Sequence, residues 1–230
     1  AGLMNMSAST VEKAYMTLEN GTLEARDNNY AAMTVYKNCE FNMTGGSIIK
    51  SVGSFTNCVI AYDDSVVNIS GGTITNKAME GYSPFALSCY ERSTVNITGG
   101  TFNDGIRSGT NGGLIEHVPV GFVIKDENGN YIDKNLSSTD NITVTVEKHN
   151  DHKFENCVCN ICEYECLHKD TLVQVEAKAN TCTEIGWDAY EYCTRCDYTT
   201  YDEKPILGHD IIIDAYVAPT CTETGLTEGQ

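Results

Sequence analysis

One short phrase recurs through the first half of the chain: alternating apolar and polar residues, a glycine-containing pair, and a second short apolar stretch. The copies are residues 16–23 (MTLENGTL), 41–48 (FNMTGGSI), 67–74 (VNISGGTI) and 95–102 (VNITGGTF). The last glycine of each pair, at residues 21, 46, 72 and 100, gives spacings of 25, 26 and 28 residues. A repeat of this length built from short strands and glycine turns predicts a solenoid.

Alternation within each copy predicts a strand with one buried face. Aligning the copies gives three inward columns: Met16, Phe41, Val67 and Val95; Leu18, Met43, Ile69 and Ile97; Leu23, Ile48, Ile74 and Phe102. The glycine pair of each copy, Asn20-Gly21 in the first, is expected to supply a positive-φ bend that a Cβ would oppose. The repeat therefore predicts an all-β fold, a parallel β-helix of about four coils over residues 6–103. An antiparallel sandwich is the alternative, although it does not require a constant period.

The composition changes near residue 150. Three cysteines precede that point, at positions 39, 58 and 89, and eight lie between residues 157 and 221. Residues 121–132 predict a hairpin around an Asn128-Gly129 turn, which would cap the open end of the solenoid, and residues 141–147 predict one more strand. We therefore predict a β-helical domain with its cap over residues 1–148 and a Cys/His-rich domain of zinc-ribbon-like modules over residues 149–230.

The second region combines two C-x-x-C pairs with regularly placed histidines, a pattern typical of tetrahedral zinc sites. The spacing predicts two ligand sets: His152, Cys159, Cys162 and Cys166; and His168, Cys182, Cys193 and Cys196. Cys157 is then spare, and it or His168 could replace Cys166 in the first set. Disulfides compete with zinc, because small Cys-rich modules of exported proteins often carry them. A redox role for C-x-x-C is disfavoured, since no βαβ pattern surrounds it.

Three tyrosines, Tyr36, Tyr62 and Tyr90, occupy one position of successive repeats beside a polar turn. If their rings face outward, such a row can hold sugar rings, because each ring offers a flat apolar face with a polar tip. Stacked tyrosines that only support the sheet are the alternative. We predict no catalytic residue in this region.

Two acidic residues in the same turn column, Asp63 and Glu91, would lie about 5 Å apart on neighbouring coils, the spacing of a retaining carboxylate pair. The neighbouring Lys37 and Arg92 favour an ion ladder instead. Asparagines at residues 42, 68 and 96 each fit the N-x-[ST] glycosylation pattern, but their recurrence at one repeat position favours an outward asparagine ladder.

The formal net charge of −17 excludes nucleic acid and anionic lipid as expected partners, because both are bound through Lys and Arg. No apolar run approaches the ~18–20 residues of a membrane span, so no membrane insertion is expected. The start of the chain lacks the layout of a signal peptide, and the phrase TCTE at residues 181–184 recurs at residues 220–223, near the end. We expect a piece of a longer, exported chain.

The NISGGTI-type coils resemble the pectin-lyase-like right-handed β-helix repeats of large surface proteins from anaerobic Gram-positive bacteria. The segment TCTEIGWDAYEYCTRCDYTTYDEKPILGHD, followed by APTCTETGL, is similar to Cys-rich tandem repeats found in the same kind of protein. The resemblance implies an extracellular location at the cell wall or cell surface. Enzymes of the superfamily use clustered Asp, Arg or Lys on one outer sheet, and no such cluster matches here, which argues against lyase or hydrolase activity.

These patterns lead to one expected function and two alternatives. The expected function is a bacterial cell-surface adhesin or stalk, whose β-helical surface binds a host or dietary glycan or protein and whose Cys/His modules bind structural zinc. A polysaccharide-active lyase or glycoside hydrolase, using Asp63, Glu91 and the tyrosine row, is the first alternative. A purely structural spacer, which would bind no ligand, is the second.

Overall fold

The computed structural model describes residues 4–7, 13–26, 30–52, 57–77, 84–90, 92–110 and 112–229. Contacts divide the chain into two compact units, residues 1–153 with 159–164, and residues 154–158 with 165–230. The sequence placed a domain boundary between residues 148 and 149. In the structure, the stretch that follows that point and the C-x-x-C segment at residues 159–162 group with the first unit.

The described chain is nearly all β, with a single-turn 3₁₀ helix at Leu114–Glu116. In chain order the strands are β1 (Met4–Ser7), β2 (Ala14–Leu18), β3 (Thr22–Ala25), β4 (Met33–Tyr36), β5 (Cys39–Met43), β6 (Ser47–Lys50), β7 (Val59–Ala61), β8 (Val66–Asn76), β9 (Leu87–Cys89), β10 (Thr94–Asn103), β11 (Ile106–Ser108), β12 (Phe122–Asp126), β13 (Tyr131–Ile132), β14 (Val144–Lys148), β15 (Phe154–Glu155), β16 (Val158–Cys159), β17 (Leu172–Val175), β18 (Gly186–Trp187), β19 (Tyr190–Cys193) and β20 (Glu203–Lys204). This strand content and the parallel pairing confirm the predicted all-β class.

Two sheets of the first unit are built from parallel strands that alternate along the chain. One sheet has the order β1-β4-β7-β9-β11, and all its neighbours are parallel. The other contains β2, β5, β8 and β10 in parallel, with β3 and β6 beside them; β8 extends across the positions that β5 and β6 occupy separately. Each copy of the glycine phrase therefore pairs with the next copy, which lies in the neighbouring strand.

The strand register confirms the three predicted columns. Phe41 lies opposite Met16 and Val67, and Ile69 lies opposite Met43 and Ile97. Ile74 lies opposite Ile48 and Phe102. Apart from Met16 and Leu23, which are partly buried, the members of all three columns are buried in one hydrophobic core, so like residues stack from strand to strand.

The asparagine ladder that the repeat predicts is also present. Asn68 Nδ2 donates to Asn42 Oδ1 at 2.8 Å, and Asn96 Nδ2 donates to Asn68 Oδ1 at 2.9 Å. These bonds join equivalent side chains of successive strands. Asn68 in the middle both donates to and accepts from asparagine, while Asn42 Nδ2 donates to Glu40. The ladder therefore fixes the same register as the apolar columns.

The two glycines of the phrase meet different requirements. Gly72 has a φ of 87°, in the left-handed region that disfavours a side chain. Gly71 is needed for space instead, because a Cβ there would lie 2.5 Å from the Thr44 carbonyl oxygen of the neighbouring strand. In this copy both positions require glycine: Gly71 for close approach to the neighbouring repeat, and Gly72 for its backbone conformation and for space as well.

Three antiparallel strands complete the second sheet. β14 pairs with β10, β12 pairs with β14, and β13 pairs with β12. The predicted 121–132 hairpin is present as β12 and β13, but β14 lies between this hairpin and the last parallel strand. Ile124, Val144 and Val146 belong to the common core, so these strands extend the apolar interior of the first unit.

The second unit has short hairpin-like sheets and few buried apolar residues. β17 pairs with β19 and β18 pairs with β20, both antiparallel. Beyond residue 205, isolated bridges join Asp214 to Gly229 and Val217 to Leu226. In the described part of the chain, no helix is long and apolar enough to cross a membrane.

Candidate metal centres

Four side chains at the end of the first unit converge on one point: His149, His152, Cys159 and Cys162. Their ligand atoms all lie within 4.8 Å of one another. Cys162 Sγ lies 3.3 Å from the Nδ1 atoms of both His149 and His152, and Cys159 Sγ lies 3.7 Å from His149 Nδ1. Both cysteines are fully buried, and His149 is 4% exposed. This group could hold a metal ion.

Backbone hydrogen bonds hold together the chain segments that carry the first group. The His149 amide, just after β14, donates to the Gly121 carbonyl at 2.9 Å, and the Gly121 amide donates to the Cys162 carbonyl at 2.9 Å. The Glu163 amide donates to the Cys159 carbonyl at 2.9 Å, which closes the C-x-x-C turn. A stacked ring supports the ligands from outside, since Tyr164 lies 4.8 Å from the His152 ring.

A second group lies entirely in the second unit and consists of Cys166, His168, Cys193 and Cys196. Cys166 Sγ lies 3.7 Å from Cys193 Sγ, and Cys196 Sγ lies 3.5 Å from His168 Nδ1. The His168 ring stacks on Tyr198 with 4.5 Å between ring centroids. This group offers three sulfurs and one nitrogen, and it too could hold a metal ion.

The sulfur distances are too long for disulfide bonds, the alternative that the sequence left open. A disulfide joins two sulfurs at about 2.05 Å, whereas Cys166 Sγ and Cys193 Sγ are 3.7 Å apart. All eleven cysteines are free thiols in the structure. The grouping of each cysteine pair with histidine nitrogens is the arrangement expected of metal ligands.

The thiols within each group differ in acidity. Burial opposes ionisation of Cys193, but contacts with the Thr171 hydroxyl, the His168 ring and two backbone N–H groups lower its pKa to about 5. Burial raises the pKa of Cys166 and of Cys196. In the first group, burial raises the pKa of Cys162, while backbone donors outweigh burial and lower that of Cys159. Each group therefore combines one thiol whose pKa is lowered with at least one whose pKa is raised.

The structural groups differ from the predicted ligand sets at two positions. His149 occupies the place that the sequence assigned to Cys166, and Cys166 occupies the place assigned to Cys182. Cys182 is exposed and belongs to neither group. Sequence reasoning missed His149, although its three-residue spacing from His152, directly after a predicted strand, was an available signal.

The tyrosine row forms on the first unit as predicted. The Tyr62 and Tyr90 rings stack with 4.6 Å between centroids and 19° between planes, and the Tyr36 ring meets Tyr62 edge-on at 6.3 Å. All three side chains are partly exposed. In the adjoining turn, Arg92 forms an ion pair with Asp63, as the predicted ion ladder requires. Glu91, the other member of the predicted carboxylate pair, lies outside the described residues.

Comparison with known proteins gives no relative. No protein-family model, curated protein or solved structure matches the chain. The resemblance to bacterial surface proteins stays a prediction, and function has to be inferred from the geometry of the chain's own residues.

Proposed function

We propose that the chain is an extracellular stalk or adhesin of a bacterial cell surface, in which a right-handed parallel β-helix displays a binding surface and two structural zinc sites stabilise the segment that follows. The observation that carries the proposal is the pair of four-residue Cys/His groups, in each of which all ligand atoms lie within 4.8 Å of one another. The two groups belong to different units of the chain.

Tetrahedral geometry can be compared directly with these distances. Bond lengths of about 2.3 Å for Zn–S and 2.0–2.1 Å for Zn–N place tetrahedral neighbours about 3.8 Å apart for two sulfurs and about 3.6 Å apart for sulfur and nitrogen. The sulfur pair Cys166–Cys193 is 3.7 Å apart, and the sulfur–nitrogen distances range from 3.3 to 3.7 Å. These values support a four-coordinate ion in each group.

The choice of ligands supports zinc in a structural role. Zinc is commonly held by two or three thiolates together with imidazole nitrogen, and sites with four protein ligands leave no open position for substrate. Cys159, Cys162 and Cys193 have at most 5% of their surface exposed. A closed, buried site of this kind holds the backbone together, because its ligands come from segments that are separate in the sequence.

Metal analysis tests this proposal. We expect protein purified with zinc in the medium to retain two zinc ions per chain, one for each group. A strong chelator should loosen the Cys/His segment while the apolar core of the parallel sheets stays folded, which proteolysis and circular dichroism would detect. Less than about one ion per chain, together with unreactive thiols after denaturation, would contradict the proposal.

The alternation of strands between two parallel sheets supports the β-helix. The chain passes from β4 in one sheet to β5 in the other, then from β7 to β8 and from β9 to β10. One coil then corresponds to one repeat, and each coil is covered by its neighbours. A crystal structure in which these strands paired antiparallel would contradict it.

The tyrosine row is the surface that we propose for a host or dietary glycan or protein. Tyr62 and Tyr90 present stacked, partly exposed rings beside the Asp63–Arg92 ion pair, which offers polar contacts next to apolar area. A glycan array probed with the wild-type chain and with a Tyr36→Ala/Tyr62→Ala double variant tests this role. We expect the variant to lose the wild-type signal. Equal binding by both proteins would show that the tyrosine row is not the glycan site. No binding by either would leave a protein ligand or the spacer role.

A further inference from the structure

A fourth thiol, that of Cys157, lies beside the second metal group without being one of its four members. Cys157 Sγ is 3.4 Å from Cys196 Sγ, which is closer than Cys166 and Cys193 are to each other. Cys157 groups only with Cys196 and Asp197, and not with the other three members of the second group. Cys157 and Cys196 are both partly exposed, whereas Cys166 and Cys193 are buried.

The Asp197 carboxylate holds Cys157 in this position. Its two oxygens accept hydrogen bonds from the backbone amides of Asn156 and Cys157, each at 3.0 Å. Both residues adopt positive φ, 49° for Asn156 and 64° for Cys157. A left-handed conformation at cysteine is uncommon and persists only when surrounding contacts require it. The turn is therefore fixed with the Cys157 thiol directed at a metal ligand.

We propose that Cys157 and Cys196 form an oxidation site that releases the metal ion of the second group when a hydroperoxide reacts with it. This inference rests on the metal binding proposed above. One sulfur attacks the peroxide oxygen and becomes a sulfenic acid, with water or alcohol as the leaving product. The other sulfur then attacks the sulfenic sulfur, so that an S–S bond forms and water leaves. Two thiols and one peroxide thus give one disulfide; the two sulfurs supply the two electrons that reduce the O–O bond.

The position of Cys157 determines which ligand is lost. The two sulfurs must approach by about 1.4 Å to reach disulfide distance, starting from 3.4 Å. Bond formation consumes Cys196 and leaves Cys166, His168 and Cys193, which are too few to close a tetrahedral site. Among the described residues, the first group contains only Cys159 and Cys162 as sulfurs, and both are fully buried, unlike the partly exposed Cys157 and Cys196.

The test treats the zinc-loaded full chain with hydrogen peroxide, follows zinc release with a chromogenic chelator, and maps disulfides by mass spectrometry. We expect one of the two bound ions to be released, with a Cys157–Cys196 cross-linked peptide as the main product. Cys157→Ser should slow release at least about tenfold, because the nearby resolving thiol is gone. Cys182→Ser, which removes an exposed thiol outside both groups, is the matched control and should release zinc like the wild type.

Several outcomes would overturn the inference. Release from Cys157→Ser at the wild-type rate would do so, as would a main disulfide that omits Cys157. Three ions per chain before oxidation, falling to two in Cys157→Ser, would make Cys157 a metal ligand with Asp197 instead. If the untreated chain held no metal, the proposed function would fail; the mapped peptide would still decide whether Cys157 and Cys196 pair on oxidation.

Discussion

Replacement of His149 by alanine gives the sharpest test of the metal groups, because this residue belongs to the first group in the structure but not to the set that the sequence predicts. The change removes an imidazole whose Nδ1 lies 3.3 Å from Cys162 Sγ and 3.7 Å from Cys159 Sγ. Three ligands remain in the first group and four in the second. We expect His149→Ala to bind one ion where the wild-type chain binds two.

The expected loss of stability follows from the loop that the ion closes. His149 and Cys162 are 13 residues apart in the chain. In the chain-entropy model, cross-linking a loop of about 15 residues stabilises the folded state by about 3 kcal/mol. The variant should therefore lose up to about 3 kcal/mol of the free energy of unfolding at this end of the first unit. The apolar columns of the parallel sheets do not include His149, and we expect their packing to persist in the variant.

The assay combines elemental analysis after gel filtration with cobalt substitution and urea unfolding. Sulfur-to-cobalt charge-transfer absorption grows with the number of thiolates, so loss of the first group removes the smaller, two-sulfur share of the signal. Cys182→Ser is the matched control, since that thiol is exposed and outside both groups. If His149→Ala kept both ions while Cys182→Ser lost one, the structural ligand sets would be wrong and the predicted set with Cys182 would replace them.

Three further predictions concern the first unit. Burial lowers the pKa of His117, so protonation of this histidine favours the unfolded state. The free energy of unfolding should therefore be highest above about pH 6.5. It should fall as the pH drops below that value, by at most about 1.4 kcal/mol per pH unit. His117→Gln should reduce that pH dependence in urea unfolding of the metal-loaded chain, and an unchanged slope would contradict it. Gly71→Ala places a Cβ 2.5 Å from the Thr44 carbonyl oxygen and should lower the free energy of unfolding by about 1–3 kcal/mol. Chemical unfolding compares this variant with Gly229→Ala, where the nearest atom is 3.9 Å away. Equal stability of the two variants would refute the close-approach argument. Burial raises the pKa of Cys58 to about 12, so this thiol should resist alkylation in the native chain and react only after denaturation; rapid native labelling at Cys58, mapped by mass spectrometry, would be inconsistent with its burial.

The sheet built from the glycine phrases was predictable because its strands carry a strong periodic signal. Each phrase alternates, so one face is apolar, and the constant period fixes which residues stack. The other parallel sheet was not predictable in the same way. Its strands β7 and β9 are three residues long and buried at every position, so neither shows alternation. Short, wholly buried strands lack the pattern that distinguishes a strand from other buried segments.

The Cys/His groups could not be predicted for a different reason: spacing along the chain does not determine which Cys and His side chains come together. The second group depends on the β17–β19 register, which places Leu172 opposite Cys193. That pairing brings the C-x-x-C turn beside the residues just before β17, where Cys166 and His168 lie; the Thr194 amide donates to the Thr171 carbonyl at 2.9 Å across the same junction. Cys182 lies in the connection between β17 and β18 and is carried away from this junction. A one-residue slip of the hairpin would direct Cys193 to the opposite face, so hairpin register rather than sequence spacing determines which Cys and His side chains come together.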